Sequence, residues 1–232
     1  MPFYYQSGQI PHKRHVQFRK PNGELYAEQL VSTEGFADNY SLVYHCFPPT
    51  LVKDIGNPVD VKPEIAVEKN IQHRSFNGFS VKPVDDYLKS RVPVLVNNDV
   101  YIYLAAPMKS MDDYFFKNSG ASEMIFVHEG EGILKSMYGK IKFSYGDHLV
   151  IPRGTTYQLE FASENNRLLI MESFSPIRFP RRYMNRQGQL LEHSPFCERD
   201  IRVPENLLTH DEEGDFLVKV KRDDIIIPYH YG

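Results

Sequence analysis

The sequence contains no tryptophan and only two cysteines, Cys46 and Cys197, in 232 residues. Two cysteines this far apart cannot form a disulfide framework for a chain of this size. We therefore expect two reduced thiols, with a single long-range disulfide as the alternative. An excess of one charge is also missing, since the net charge is −3 and the sequence pI is near 6.3. This balance gives neither a basic field nor an acidic tail, so we expect no nucleic-acid partner.

Long apolar runs are missing as well. No run approaches the roughly 18 consecutive apolar residues that a membrane helix needs. The segment 1–15 is polar and basic and lacks the apolar stretch of a signal peptide. We therefore predict a cytoplasmic protein with no membrane partner. Hydrophobic residues still make up 41% of the chain, which is enough to bury a core.

Tyrosine and phenylalanine are abundant, at 15 residues each, and such aromatic content with frequent turn residues favours strands over helices. Alternating apolar residues on either side of Asn97-Asn98-Asp99 predict a hairpin. Short strands at this spacing are typical of a sandwich or barrel. Besides that hairpin, the predicted strands are Gly23–Leu30, Tyr40–Phe47, Ser122–His128, Gly132–Met137, Lys140–Phe143, His148–Ile151, Thr156–Phe161, Arg167–Ser173, Asp215–Val220 and Asp224–Tyr229.

Two stretches resemble the paired motifs of the cupins. The later one, Gly146–Tyr157, has glycines that permit tight turns at both ends of a strand and a proline where the strand ends. Its last position is a histidine in metal-binding cupins and is Tyr157 here. The earlier one begins at Glu123 and ends in a glycine-rich turn, and the resemblance implies a His-x-His pair just before it, but residues 116–122 contain no histidine.

The missing histidines decide what site we predict. Non-haem Fe(II) needs about three protein ligands, commonly two imidazoles and a carboxylate, and only Glu123 remains of that set. We therefore predict no catalytic, cofactor-binding or metal-ligating residue in this chain, and we interpret Glu123 and Tyr157 as vestigial cupin positions. They either form a hydrogen-bonded pair on neighbouring strands inside the barrel or are exposed at its mouth.

Other polar candidates have simpler interpretations. His12 and His15 are spaced like metal ligands on a helix, but Lys13 and Arg14 between them would repel a cation, so a surface loop is favoured. Strand alternation points His128 away from the barrel interior. His148 begins a later strand and is expected to pack near it on that outer face. The basic residues of 178–186 are interpreted as a solvated loop or a subunit contact.

The N-terminal region resembles that of homogentisate 1,2-dioxygenases. The similarity lies in Pro11–Arg19, Leu25–Leu30, Gly35-Phe36, Ser41–His45 and Pro49-Thr50. It implies a double cupin that opens the homogentisate ring with O2 and Fe(II), in tyrosine and phenylalanine breakdown. The resemblance also implies that the iron ligands, two histidines and a glutamate, belong to a second barrel.

This resemblance gives the predicted organisation. We expect a mostly all-β, cupin-type jelly-roll barrel with long irregular N- and C-terminal arms. Residues 1–93 would form an arm with a few strands packing on the barrel, 94–174 the degenerate barrel, and 175–232 an arm and strands leading toward a missing second barrel. The apolar, aromatic run at 225–232 is unlike a natural terminus and fits truncation.

Three functions remain open at this point. The first is the N-terminal part of a homogentisate dioxygenase, a scaffold and interface domain with no bound cofactor of its own. Its expected partners are the missing C-terminal barrel and further copies in a homo-oligomer, and the small aromatic substrate binds only to the complete enzyme. The second is a free-standing, metal-free cupin that binds a small molecule or a protein. The third is a metallo-cupin that uses other histidines.

Overall fold

A computed structural model describes residues 12–13, 16–32, 35–36, 40–67, 70 and 72–232. These residues form strands joined by turns and three short 3-10 helices. Within them no helix has the length and apolar character to cross a membrane. The strands are β1 (Ala27–Ser32), β2 (Tyr40–His45), β3 (Val52–Ile55), β4 (Val59–Asp60), β5 (Arg91–Val96), β6 (Val100–Ala105), β7 (Phe115–Asn118), β8 (Ser122–Glu129), β9 (Gly132–Ser136), β10 (Gly139–Phe143), β11 (His148–Ile151), β12 (Thr156–Phe161), β13 (Arg167–Ser173), β14 (Phe216–Arg222) and β15 (Ile225–Tyr231).

Two large sheets enclose the core. One has the order β11-β8-β13-β6-β5, and its pairs are all antiparallel. The other runs β10-β9-β12-β7-β14-β15-β3, with β4 also pairing with β15. Apolar side chains of both sheets meet between them, including Ile125 and Ile170 from the first sheet and Phe116 and Leu159 from the second. The predicted mostly all-β, cupin-type fold is therefore confirmed.

The motif glycines shape the turns that bring these strands together. Gly146 and Gly154 have φ angles of +88° and +83°, a region that residues with a Cβ atom rarely adopt. They stand on either side of β11, which is paired with β8 so that Ile151 lies opposite Glu123. The two glycines of the later motif therefore fix the ends of β11, and β11 in turn positions Glu123 at the beginning of the earlier motif.

Several sequence-based strand predictions are confirmed without change, namely His148–Ile151, Thr156–Phe161 and Arg167–Ser173. Three strands were not predicted. Of these, β3 and β4 lie in the predicted N-terminal arm, and β7 lies in a stretch for which no strand was predicted. β7 pairs in parallel with β14, a partner about a hundred residues later, and local alternation carries no signal for such a distant pairing.

The three-part division of the chain stays a prediction, but the sheets cross both of its boundaries. β5 spans the first boundary, and β14 from the final segment inserts between β7 and β15. The apolar C-terminal run forms β15, which pairs with β14 on one side and with β3 and β4 on the other. This run is thus an integral strand of the larger sheet, and its apolar character has a local explanation.

Candidate functional site

Glu123 and Tyr157 meet inside the barrel. The Tyr157 hydroxyl donates a hydrogen bond to Oε2 of Glu123 at 2.6 Å, and both residues are almost completely buried. Their proximity was predicted, but their placement on neighbouring strands was wrong. Glu123 lies on β8 in the five-stranded sheet, whereas Tyr157 lies on β12 in the eight-stranded sheet. The bond therefore spans the space between the two sheets, because inward-facing residues of opposed sheets meet across the core.

Arg91 holds the other oxygen of Glu123. Its Nη2 donates to Oε1 of Glu123 at 2.6 Å, and its Nη1 donates to Oε1 of Glu172 at 2.7 Å. The guanidinium carbon also lies 4.2 Å from the ring centroid of Tyr87, in a cation–π arrangement. One planar cation thus joins two carboxylates on adjacent strands of one sheet, where Glu123 and Glu172 are paired.

Lys221 completes the charge balance. Its Nζ forms an ion pair with Oε2 of Glu172 and lies 3.5 Å from the hydroxyl of Tyr103. Lys221 is only 4% exposed and Glu172 is fully buried. We call Arg91, Glu123, Tyr157, Glu172 and Lys221 the barrel network. It has two carboxylates, two cations and one phenol, so its formal charges cancel.

Burial sets the protonation of this network. Burial, followed by the charge of Glu123, raises the pKa of the Tyr157 phenol well above its ordinary value. Desolvation alone would lower the pKa of Arg91, but Tyr87, Glu123 and Glu172 outweigh it and hold that pKa well above its ordinary value. The phenol therefore keeps its proton and the guanidinium keeps its charge at neutral pH. Neither group is suited to accept a proton from a substrate.

The barrel network does not fit a divalent metal ion. Both oxygens of Glu123 already accept short hydrogen bonds, and any cation beside them would face the charge of Arg91. Throughout the described part of the chain, no three His, Cys, Asp or Glu side chains gather in a way that could hold a metal ion. The guanidinium of Arg91 occupies the neighbourhood of the vestigial ligand positions, in which the cupin motif would otherwise place an ion.

Sequence reasoning found two members of the barrel network and missed three. Glu172 directly follows the apolar run Leu168–Met171, at a position whose alternation points inward, which is a readable signal. Lys221 gave no such signal, because β14 alternates Val218 and Val220 with Lys219 and Lys221, a pattern that would place the lysines outward. Arg91 carried no such signal, because it begins a strand and precedes the hairpin that was recognised.

The remaining candidates lie outside the barrel interior. Cys46 and Cys197 are both free thiols. The ring of His148 lies 4.9 Å from that of Phe126, which is also near His128. These histidines therefore pack on the outside of the five-stranded sheet, as predicted. The proposed pair of His12 with His15 cannot be assessed, because residue 15 lies outside the described residues.

Two cavities lie away from the barrel network. One, of about 430 Å³, is lined by residues of 111–115, 158–160 and 210–217. Its wall includes the ring of Phe115, against which His210 packs edge-on at 4.9 Å. The other, of about 220 Å³, lies beside Phe79, Phe126 and Leu169 and is almost entirely apolar. Neither cavity is lined by a residue of the barrel network.

The chain is similar in sequence to a known protein and in part to solved structures. A "Putative dioxygenase SSO1533" of Saccharolobus solfataricus is 34% identical over 221 residues. The alignment covers 95% of this chain but 56% of that relative, so the chain spans about half the relative's length. Among solved structures, similar folds include a cupin-2 domain protein of Shewanella frigidimarina, at 21% identity and a TM-score of 0.32, over 36% of this chain and 79% of that one. KdgF from Halomonas sp. is similar at 17% identity and a TM-score of 0.33, over 38% and 78% of the two chains.

The family assignment comes from the sequence itself. Residues 6–183 match the sequence model of a family described as "Homogentisate 1,2-dioxygenase N-terminal". That match covers most of the chain, including β1 to β13 and four of the five residues of the barrel network. The chain therefore belongs to the homogentisate 1,2-dioxygenase N-terminal family.

Proposed function

We propose that this chain is the non-catalytic N-terminal barrel of an Fe(II)-dependent, ring-cleaving dioxygenase of the homogentisate type. The observation that carries the proposal is that both carboxylate oxygens of Glu123 already accept hydrogen bonds, one from Arg91 and one from Tyr157. A carboxylate whose two oxygens both accept short hydrogen bonds, one of them from a guanidinium, is a poor ligand for a divalent cation. The chemistry of the complete enzyme would then take place in the part of the longer protein beyond this chain.

A scaffold role follows from the same contacts. Opening an aromatic ring with O2 requires an ion with open positions for the substrate and for oxygen, and the barrel network offers none. Its two carboxylates and two cations satisfy one another inside the protein, which is the arrangement that makes a buried charge tolerable. We infer that the barrel network fixes the spacing of the two sheets. Homogentisate as substrate, iron as cofactor and a cytoplasmic location are parts of this proposal.

A free-standing binding module is the second candidate. The apolar cavity of about 220 Å³ beside Phe79 and Phe126 favours it, because concave apolar pockets with a few polar groups are typical ligand sites. The cationic group at this cavity is Arg167, whose guanidinium lies 5.9 Å from the ring centroid of Phe79. A small apolar ligand bound there would leave the barrel network untouched.

Metal analysis and oxygen uptake test the leading proposal. The purified chain is loaded anaerobically with Fe(II), desalted and analysed for iron, and oxygen uptake is then followed with homogentisate. We expect no stoichiometric iron and no uptake above that of the buffer. One tightly held metal ion per chain, or turnover by the chain free of contaminating enzyme, would contradict the proposal.

A variant gives this experiment a positive control. Replacing both Arg91→His and Tyr157→His removes the competing cation and phenol and sets two imidazoles beside Glu123 and Glu172. We expect the folded double variant to bind Zn²⁺ where the wild-type chain binds none, as measured by calorimetry. If both proteins bind zinc equally, Arg91 does not exclude metal from the barrel.

A further inference from the structure

A short turn packs on the outside of the five-stranded sheet, beside the apolar cavity. It is the 3-10 helix Gly78–Ser80, and the side chain of Asn77 fixes it by accepting a hydrogen bond from the backbone N–H of Phe79 at 3.1 Å. A Cβ atom on Gly78 would lie 3.2 Å from the side chain of Leu104, so glycine lets the turn approach the sheet closely. The cavity of about 220 Å³ is lined by this turn and by side chains of β6, β8 and β13.

The size of this cavity limits what it can bind. An apolar protein cavity of about 150 Å³ is large enough to take up benzene, and this one measures about 220 Å³. It therefore has room for an apolar body of about six carbon atoms and for a few further atoms. Two of its lining residues, Phe79 and Leu169, are 57% and 40% exposed, so a small ligand can enter from solvent beside them.

Arg167 brings a positive charge to this apolar cavity. It begins β13 and is partly buried. Its Nη1 donates a hydrogen bond to the carbonyl oxygen of Val81, and its guanidinium carbon lies 5.9 Å from the ring centroid of Phe79. Both contacts are made to the covering turn and the residue that follows it. The guanidinium is therefore held in place before any ligand arrives, which lowers the entropy cost of binding.

No carboxylate pairs with Arg167 within the described part of the chain. Glu129 is its partner in the strand register but forms no ion pair with it. The Nε and Nη2 atoms of Arg167 also lack an acceptor among the described residues, and neither is enclosed by protein. These two atoms form an edge that can bind a carboxylate through two parallel hydrogen bonds. By contrast, Arg91 and Lys221 each pair with a buried carboxylate.

We propose that this cavity, which we call the Arg167 pocket, binds a small monocarboxylate with an apolar body of about six carbon atoms. The apolar wall binds the body, and the free edge of the Arg167 guanidinium binds the carboxylate at the mouth. A bidentate, charge-assisted pair of this kind fixes the orientation of the ligand as well as adding affinity. The proposal extends the second candidate function. It is independent of the first, because no residue of the barrel network lines the pocket.

Titration with hexanoate and with hexanamide tests the proposal on the 232-residue chain. The two ligands have the same carbon chain and differ in charge. Leucine-methyl NMR reports both the affinity and the position of binding, at ligand concentrations up to about 20 mM. We expect hexanoate to shift the resonances of Leu104 and Leu169, which line the pocket, and not those of Leu217, which lines the other cavity. We expect hexanoate to bind about tenfold or more tightly than hexanamide.

Variants of Arg167 assign this preference to its charge. Arg167→Gln removes the charge but keeps an amide N–H for the carbonyl of Val81, so it should bind the two ligands with similar affinity. Arg167→Lys keeps the charge without the planar fork and should retain part of the preference. Arg181→Gln, at an exposed arginine, is the matched control and should keep the whole of it. The ratio of the two affinities in the wild type decides the question even without the variants.

Each other outcome contradicts a defined part of the proposal. Equal affinities for the two ligands in the wild type would overturn a carboxylate as the ligand class. No binding of either ligand up to about 20 mM would overturn the pocket itself, and the second candidate function with it. Shifts at Leu217 in place of Leu104 would assign the binding to the other cavity and also overturn the proposal. Iron loading and oxygen uptake test the first candidate separately, so none of these results bears on it.

Discussion

Replacing Arg91 with methionine removes the cation that joins both carboxylates of the barrel network. Arg91→Met keeps a side chain of similar length but deletes the hydrogen bonds of 2.6 Å to Glu123 and 2.7 Å to Glu172. Lys221 is then the remaining cation for two buried carboxylates. Removing one partner of a buried ion pair costs about 3–5 kcal/mol, because a buried charge is left uncompensated. Since the whole fold is stable by only about 5–15 kcal/mol, this loss is a large share of it.

Urea unfolding followed by circular dichroism measures this loss. For a domain of this size each kcal/mol corresponds to about 2–4 °C in melting temperature, so a thermal scan should fall by about 6–20 °C. Arg91→Lys keeps the charge but cannot bridge two carboxylates with a planar fork, so its stability should be intermediate. Arg181→Met, at an exposed arginine, is the control and should change the free energy of unfolding by less than about 0.5 kcal/mol.

A double variant separates lost charge balance from lost packing. Glu123→Gln in the Arg91→Met background leaves Glu172 paired with Lys221, so the free energy of unfolding should recover by about 1 kcal/mol or more. No recovery would mean that packing around Arg91, and not its charge, dominates. If Arg91→Met alone unfolds within about 0.5 kcal/mol of the wild type, the barrel network does not stabilise the fold as we argue.

Three further outcomes are expected. Tyr157→Phe loses a hydrogen bond to the charged acceptor Glu123 and should lower the free energy of unfolding by about 1.5–3 kcal/mol in urea titrations; an unchanged midpoint would contradict the contact. Burial raises the pKa of Tyr87 and of Tyr157, while the unfolded phenols ionise near pH 10. Stability should therefore be complete below about pH 10 and then fall by about 1.4 kcal/mol per pH unit for each phenol. If the free energy of unfolding stays constant up to about pH 11, the two phenols do not have raised pKa values in the folded protein. Gly139 has a φ of +122°, and a Cβ there would lie 2.4 Å from the carbonyl oxygen of Asn206, so Gly139→Ala should cost about 1–3 kcal/mol; a melting temperature equal to that of the wild type would show that the turn relaxes freely.

The barrel was predictable from the sequence because its signals are local. Glycines at 146 and 154 and the alternation within β8, β12 and β13 each act over a few residues, and together they define a strand register. The contact between Glu123 and Tyr157 followed from the cupin motifs, since both positions point into the barrel. The prediction that Glu123 and Tyr157 lie on neighbouring strands was wrong. Alternation shows which face of a strand a residue occupies, but it does not show which strands are paired.

The barrel network could not be predicted as a unit. Arg91, Glu172 and Lys221 lie far apart in the chain. They meet because β5 and β13 both pair with β6 in one sheet, while β14 pairs with β7 in the opposite sheet. Such pairings are set by the closure of the sheets and not by nearby residues. Buried charges inside apolar strands were the available clue, because an inward-facing carboxylate such as that of Glu172 requires a cation beside it.

The parallel pairing of β14 with β7 also bears on how the chain folds during synthesis. β14 and β15 leave the ribosome after the other strands of the barrel, yet they lie between β7 and β3 in the larger sheet. Until they emerge, β7 lacks its neighbour on that side and Glu172 lacks Lys221. The nascent barrel therefore holds two carboxylates against one guanidinium, and its exposed strand edge is open to wrong pairing. Completion of this barrel is tied to the arrival of Lys221, which makes the hairpin of β14 and β15 the step that both closes the sheet and neutralises its interior.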